Sequence, residues 1–187
     1  MNALANLGNA AAAIGVAAIL LVAFGLQFWF GELPCPLCNL QRVAWVLCGF
    51  GFVLNLRFGV QPLHYGLSLL GAQFGAAVSG RQVLLHIVPG SGTYGSPVLG
   101  LHLYTWGFLL FVAVIAGIAV LMILGGRPDH DRDGRHADLR FYGIRRFAAY
   151  FLIAMALANA VSSFALCGPI ECPDNPTSYW ISTYLRF

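Results

Sequence analysis

Four of the five cysteines in this chain fall into two closely spaced pairs, and paired thiols can carry electrons. The first pair is Cys35-Pro36-Leu37-Cys38; the second is Cys167-Gly168-Pro169-Ile170-Glu171-Cys172. A Cys-x-x-Cys pair closes a small ring, and such rings are common as exchangeable disulfides whose thiolate form does the chemistry. Pro34 and Pro36 keep the approach extended, and a long apolar run starts just afterwards. Cys38 is therefore predicted to sit near a helix N-terminus, where free N–H groups favour negative charge. Arg42, four residues on, falls on the same helical face and sets a cation at the membrane boundary. Other readings stay open for these residues: an inert staple, a four-cysteine zinc site, or an arginine that only snorkels to the interface. Cys48 lies inside an apolar run with no nearby cysteine and reads as a small core residue.

The elements that must position these groups are membrane helices. Of the 187 residues 59% are hydrophobic and only 9% are charged, against about 25% charged in a soluble domain. Mean hydropathy is +0.76. Five apolar runs approach or exceed the length of a membrane crossing: Ala10–Phe30, Leu40–Leu56, Leu63–Gly80, Leu101–Leu124 and Phe147–Leu166. They are continuously apolar, which favours helices over the alternating segments of a membrane β-barrel. The second and third are short and interrupted by glycine or polar residues. The expected fold is all-α: a polytopic membrane helical bundle of about five transmembrane helices, forming one membrane domain over residues 1–187. The first run is read as a retained helix, because Met1–Ala10 has no basic residue and Phe28-Trp29-Phe30 is an aromatic interface belt instead of a cleavage site. The basic residues form no stripe on a soluble face, so nucleic-acid binding is not expected.

Five crossings put the termini on opposite sides. Arg57, Arg127, Arg132, Arg135, Arg140, Arg145 and Arg146 fall on one side, and Arg42, Arg81 and Arg186 on the other. Short arginine-rich connections stay in the cytoplasm. The N-terminus is then cytoplasmic, and the tail from Cys167 lies outside, on the same face as Cys35 and Cys38. For a bacterial inner membrane that outer face is the oxidising periplasm, where disulfides persist, which argues against zinc. Asp129, His130, Asp131 and Asp133 in the connection Gly125–Arg146 read as a solvated loop in preference to a metal site. In the tail, Pro173-Asp174-Asn175-Pro176 is turn-prone. Trp180 and Tyr184 would share a helical face beside Ile181 and Leu185. That predicts a short amphipathic helix on the outer membrane surface, with packing on the bundle as the alternative.

The run Cys35-Pro36-Leu37-Cys38-Asn39-Leu40-Gln41-Arg42, at the junction of the first two spans, resembles the signature of the DsbB family of disulfide bond formation proteins. The similarity extends to Arg81-Gln82-Val83-Leu84-Leu85-His86. The resemblance implies an inner-membrane enzyme that reoxidises a periplasmic thioredoxin-fold, DsbA-like dithiol oxidase and passes electrons to ubiquinone or menaquinone. It implies a quinone-binding role for Arg42, and one for His86 near the quinone. One departure is plain: better-known members have four spans and carry their second cysteine pair between spans three and four. Here Arg81–Gly100 has no cysteine and the second pair follows a fifth span. Cys167 and Cys172 are accordingly expected to replace the missing shuttle pair, passing electrons to Cys35 and Cys38, with Cys38 near Arg42 as donor to the quinone. Two rivals remain: an enzyme similar to the vitamin K epoxide reductase group, and a membrane scaffold or transporter whose disulfides only staple outer loops.

Overall fold

The computed structural model describes residues 3–88, 90, 92–95, 97–125 and 139–184. They form five long helices and one short one: α1 (Ala3–Trp29), α2 (Pro36–Phe58), α3 (Pro62–Leu85), α4 (Leu103–Gly125), α5 (Leu139–Cys167) and α6 (Trp180–Tyr184). Among the described residues there is no strand, and Val98 and Leu101 form an isolated bridge. The fold is the all-helical bundle expected from the apolar runs. The segment 126–138, with Arg127, Asp129, His130, Asp131, Arg132, Asp133 and Arg135, lies outside the described residues, as do Leu185, Arg186 and Phe187.

Helix boundaries depart from the apolar runs where polar residues are paired inside the bundle. α1 starts seven residues before Ala10, because Asn6 and Asn9 are buried instead of ending the helix. Asn9 Nδ2 donates to the Ala5 carbonyl (2.7 Å) and to the Tyr65 hydroxyl (2.8 Å). Asn55 Nδ2 donates to Asn9 Oδ1 (2.9 Å), and Asn55 Oδ1 lies 3.0 Å from His64 Nδ1. One amide chain thus ties α1, α2 and α3 together, which satisfies groups that cost several kcal/mol if left bare in lipid. α2 starts four residues before Leu40: Pro36 suits a first helical turn, since it has no N–H to leave unpaired.

Among the described residues, four segments are long and apolar enough to cross a membrane: Leu4–Trp29, Pro36–Phe58, Leu103–Ile123 and Tyr142–Cys167. The chain is a multi-pass membrane protein. α3 is less apolar because it carries His64, Ser68, Ser79 and Gln82, all buried. Its 24 residues still give roughly 36 Å at 1.5 Å per residue, enough for a bilayer core of about 30 Å.

α1 to α4 pack in ring order, each on the next, with α4 returning to α1; α5 lies against α1 and α2. Small residues allow the close approaches. A Cβ on Gly71 would meet the Cys48 backbone nitrogen at 2.5 Å, and one on Gly75 would enter the Phe111 ring. Phe111 in turn stacks on Trp45 with ring centroids 3.8 Å apart. In lipid, such close packing has to supply association that water would otherwise drive. Cys48 is free and fully buried in this core.

Candidate functional site

α2 begins at a disulfide. Cys35 is bonded to Cys38, with Cα atoms 5.0 Å apart. Cys35 is the N-cap: its Sγ accepts the Cys38 backbone N–H at 3.1 Å. The sulfur therefore takes the place of the hydroxyl or carboxylate that usually satisfies a first-turn donor. The helix-end donor goes to Cys35, where the spacing had directed attention to Cys38. Cys35 is buried and Cys38 only partly so.

α5 ends at the second disulfide. Cys167 is its last residue and is bonded to Cys172, with Cα atoms 4.7 Å apart. Gly168 stops the helix with φ +64°, its N–H bonded to the Phe164 carbonyl (2.8 Å). Glycine takes this left-handed conformation freely, and the turn it makes brings Cys172 back over Cys167. Here too one sulfur is covered: Cys167 is buried and Cys172 is partly exposed.

The two disulfides flank the first turn of α2. Asn39, next to Cys38 in sequence, directs Nδ2 at both Cys167 Sγ (3.8 Å) and Cys172 Sγ (3.9 Å). Its Oδ1 accepts from Ser163 Oγ at 3.4 Å. From α3, Gln82 directs Nε2 at Cys35 Sγ (3.5 Å) and Cys38 Sγ (3.8 Å). Its Oε1 accepts from Gln41 Nε2 at 2.7 Å. Each disulfide therefore faces one buried carboxamide.

Arg42 is 7% exposed and turns into the bundle instead of reaching for the interface. Its Nη1 donates to Gln27 Oε1 (2.6 Å) and its Nη2 to the Ala23 carbonyl (3.1 Å). The guanidinium also lies 5.3 Å from the Phe24 ring centroid. Arg42 and Cys38 are one helical turn apart, yet the arginine's partners come from α1 and the disulfide's from α3. Gln27 completes a second connection, because Nε2 donates to Ser162 Oγ and to the Tyr179 hydroxyl, both at 2.9 Å. The tail beyond the second disulfide is thereby joined to the residue that holds Arg42.

His86 caps the end of α3 and organises the following loop. Its Nδ1 lies 3.1 Å from the Gly92 carbonyl, which can only accept, so the imidazole donates. Its ring lies 5.3 Å from that of Tyr104. Tyr94 from the same loop donates its hydroxyl to the Leu33 carbonyl, just before the first disulfide. Burial, and then the charge of Glu32, push the Tyr94 phenol up, which keeps it a neutral donor. The contacts of His86 are with this loop and α4, whereas those of Arg42 are with α1.

The tail packs on the bundle. Trp180 meets Phe164 edge to face at 6.2 Å, and its indole lies over Gly168, where a Cβ would come within 2.5 Å. Of the two arrangements expected for the tail, packing on the bundle is the one formed, because Tyr179 and Trp180 find partners on α1 and α5. Asn39, Gln41, Gln82, Gln27 and Tyr179 were not singled out from sequence as site residues. A signal for the amides existed: a polar side chain within an apolar helix is expected to face inward and to be paired.

Comparison with known proteins gives the geometry a family. Residues 6–93 match the profile of disulfide bond formation protein DsbB, which covers α1 to α3 and the first cysteine pair. A disulfide bond formation protein B of a Polaromonas species is 31% identical over 148 residues, covering 59% of this chain and 88% of the relative. One from Xylella fastidiosa is 27% identical over 155 residues, 78% of this chain and 82% of the relative. One from Nitrosomonas eutropha is 45% identical over 64 residues, 32% of this chain and only 40% of the relative. No solved structure matches the chain. With a sulfur-capped helix inside the matched region and a relative covered over nearly nine-tenths of its length, the chain belongs to the DsbB family of membrane disulfide bond formation proteins.

Proposed function

We propose that this chain is an inner-membrane thiol:quinone oxidoreductase. It reoxidises a periplasmic DsbA-like dithiol oxidase and passes the electrons through Cys167–Cys172 and then Cys35–Cys38 to a membrane quinone. The observation that carries this is the first turn of α2, which lies beside both disulfides, with Asn39 against one and its neighbour Cys38 in the other. Disulfide exchange requires such proximity, and a pair of independent loop staples does not.

The exchange balances as two thiol–disulfide steps. A partner thiolate attacks the more exposed Cys172, the Cys167–Cys172 bond breaks, and the electron pair leaves on Cys167. The partner's second thiol resolves the mixed disulfide and leaves as oxidised partner. A thiolate of the reduced tail pair then attacks the Cys35–Cys38 disulfide in the same way. In each transfer two electrons and two protons move from one pair to the next.

Arg42 and, from the end of α3, His86 are the residues that would hold the quinone. A guanidinium has five N–H donors, and the two bonds to Gln27 and Ala23 use two of them, so Arg42 retains donors for a carbonyl oxygen. Ubiquinone or menaquinone would supply a two-electron, two-proton acceptor. Lipid surrounds the bundle, the N-terminus is cytoplasmic, and the tail is periplasmic.

Two measurements test this. Purified reduced protein mixed with quinone should lose thiols and form quinol. With Cys38 and Cys172 each changed to Ser, a Cys35–Cys167 disulfide should be trapped under mild oxidation, since these are the buried members of the two pairs. Failure to trap any of the four cross-pairings would remove the tail from the electron path.

A further inference from the structure

The relay proposed above does not by itself say what receives the charge when each disulfide opens. A disulfide sulfur bears no hydrogen and can only accept a hydrogen bond. The carboxamide facing it must therefore present its NH2, and both carboxamides are fixed in that sense from their other end. The Gln82 oxygen is occupied by Gln41 at 2.7 Å, and the Asn39 oxygen by Ser163 at 3.4 Å. Gln82 is 2% exposed and Asn39 9%, so water does not readily replace either donor.

From this arrangement we infer that Gln82 and Asn39 are catalytic hydrogen-bond donors to the two sulfur pairs. Gln82 faces both sulfurs of the first pair and is nearer Cys35, where the Cys38 backbone N–H adds a second donor, so it holds whichever of the two carries the thiolate. Asn39 does the same for the thiolate released on Cys167 or Cys172. Opening a disulfide puts a full charge where a weakly accepting sulfur stood, so these bonds strengthen as the S–S bond breaks. That is the differential stabilisation that accelerates a step. Gln41 is a positioning residue: it touches no sulfur and sets which end of Gln82 faces the pair. Asn39 also adjoins Cys38 in the chain, so the donor for the tail pair and a member of the first pair move as one rigid turn of α2.

The inference rests on the two-pair relay for its biological meaning, but its test uses neither quinone nor transfer between pairs. The full-length protein in detergent is reduced, and alkylation by iodoacetamide is followed at each cysteine by mass spectrometry across pH. Gln82→Met keeps the side-chain length and removes the donor. It should slow alkylation at Cys35 about tenfold at neutral pH, equivalent to about one pH unit, and move its profile to higher pH. Cys167 and Cys172 should remain within twofold of the unmodified protein. Asn39→Leu should produce the converse pattern. Gln41→Leu leaves Gln82 in place and should give a smaller slowing at Cys35 alone, which keeps the idea testable if Gln82→Met folds poorly. Unchanged profiles in all three variants, or equal slowing of both pairs by each, would overturn the assignment. A chain that passes this test but fails to trap any cross-pair disulfide would retain its donors and lose the relay.

Discussion

Gly168 is a single position on which the placement of the tail depends. A Gly168→Ala change meets two obstacles. The backbone there has φ +64°, which costs an L-residue with a side chain roughly 1–2 kcal/mol. The new methyl would also sit 2.5 Å from the Trp180 indole. The ring must retreat by about 1 Å to reach ordinary contact at about 3.5 Å. That weakens the Phe164–Trp180 pair, worth about 0.5–1.5 kcal/mol, and strains the Tyr179–Gln27 bond, worth about 1 kcal/mol. A loss of about 2 kcal/mol in docking would lower the ratio of docked to undocked tail roughly 30-fold. Proteolytic nicking between Cys172 and Tyr184 should accelerate, and electron transfer from the tail pair to Cys35–Cys38 should slow, while reaction of the first pair with quinone continues. Made in a Trp180→Ala background, where the clash is absent, Gly168→Ala should cost only the part due to φ. If Gly168→Ala shows wild-type nicking and transfer, the tail does not depend on this contact and the reasoning is wrong.

Three other outcomes follow from the same geometry. Arg42→Ala should reduce quinone turnover on the order of 100-fold, the cost of removing a preorganised donor, while exchange between the pairs changes little; stopped-flow quinol formation and a thiol-trapping assay separate the two. Gly75→Val should lower the thermal midpoint in detergent by several degrees, because its side chain would enter the Phe111 ring and overpacking costs about 1–3 kcal/mol; an unchanged midpoint would contradict the tight α3–α4 contact. A reporter active only outside the cytoplasm, fused after Phe187, should be active, and activity of a cytoplasm-only reporter there would reverse the orientation.

What the residues alone determined is the pairing of the cysteines and the class of fold. Cys35 with Cys38 and Cys167 with Cys172 are legible as two pairs because sulfur spacing is a local property. The long apolar runs announce helices because lipid leaves the backbone no other partners. Arg42 was legible for the same local reason, one turn from Cys38. The partners of these groups were not legible. Gln82 is 47 residues from Cys35 and Asn39 is 128 from Cys167, and which amide meets which sulfur depends on how α3 and α5 rotate against α2. Hydropathy also understated α1 and α3, since it scores Asn9, His64 and Gln82 as exposed when the bundle pairs and buries them. Whether Trp180 enters lipid or packs on Gly168 is likewise a tertiary outcome. An amphipathic turn suits either surface, and only the folded bundle presents Gln27 and Phe164 to receive it.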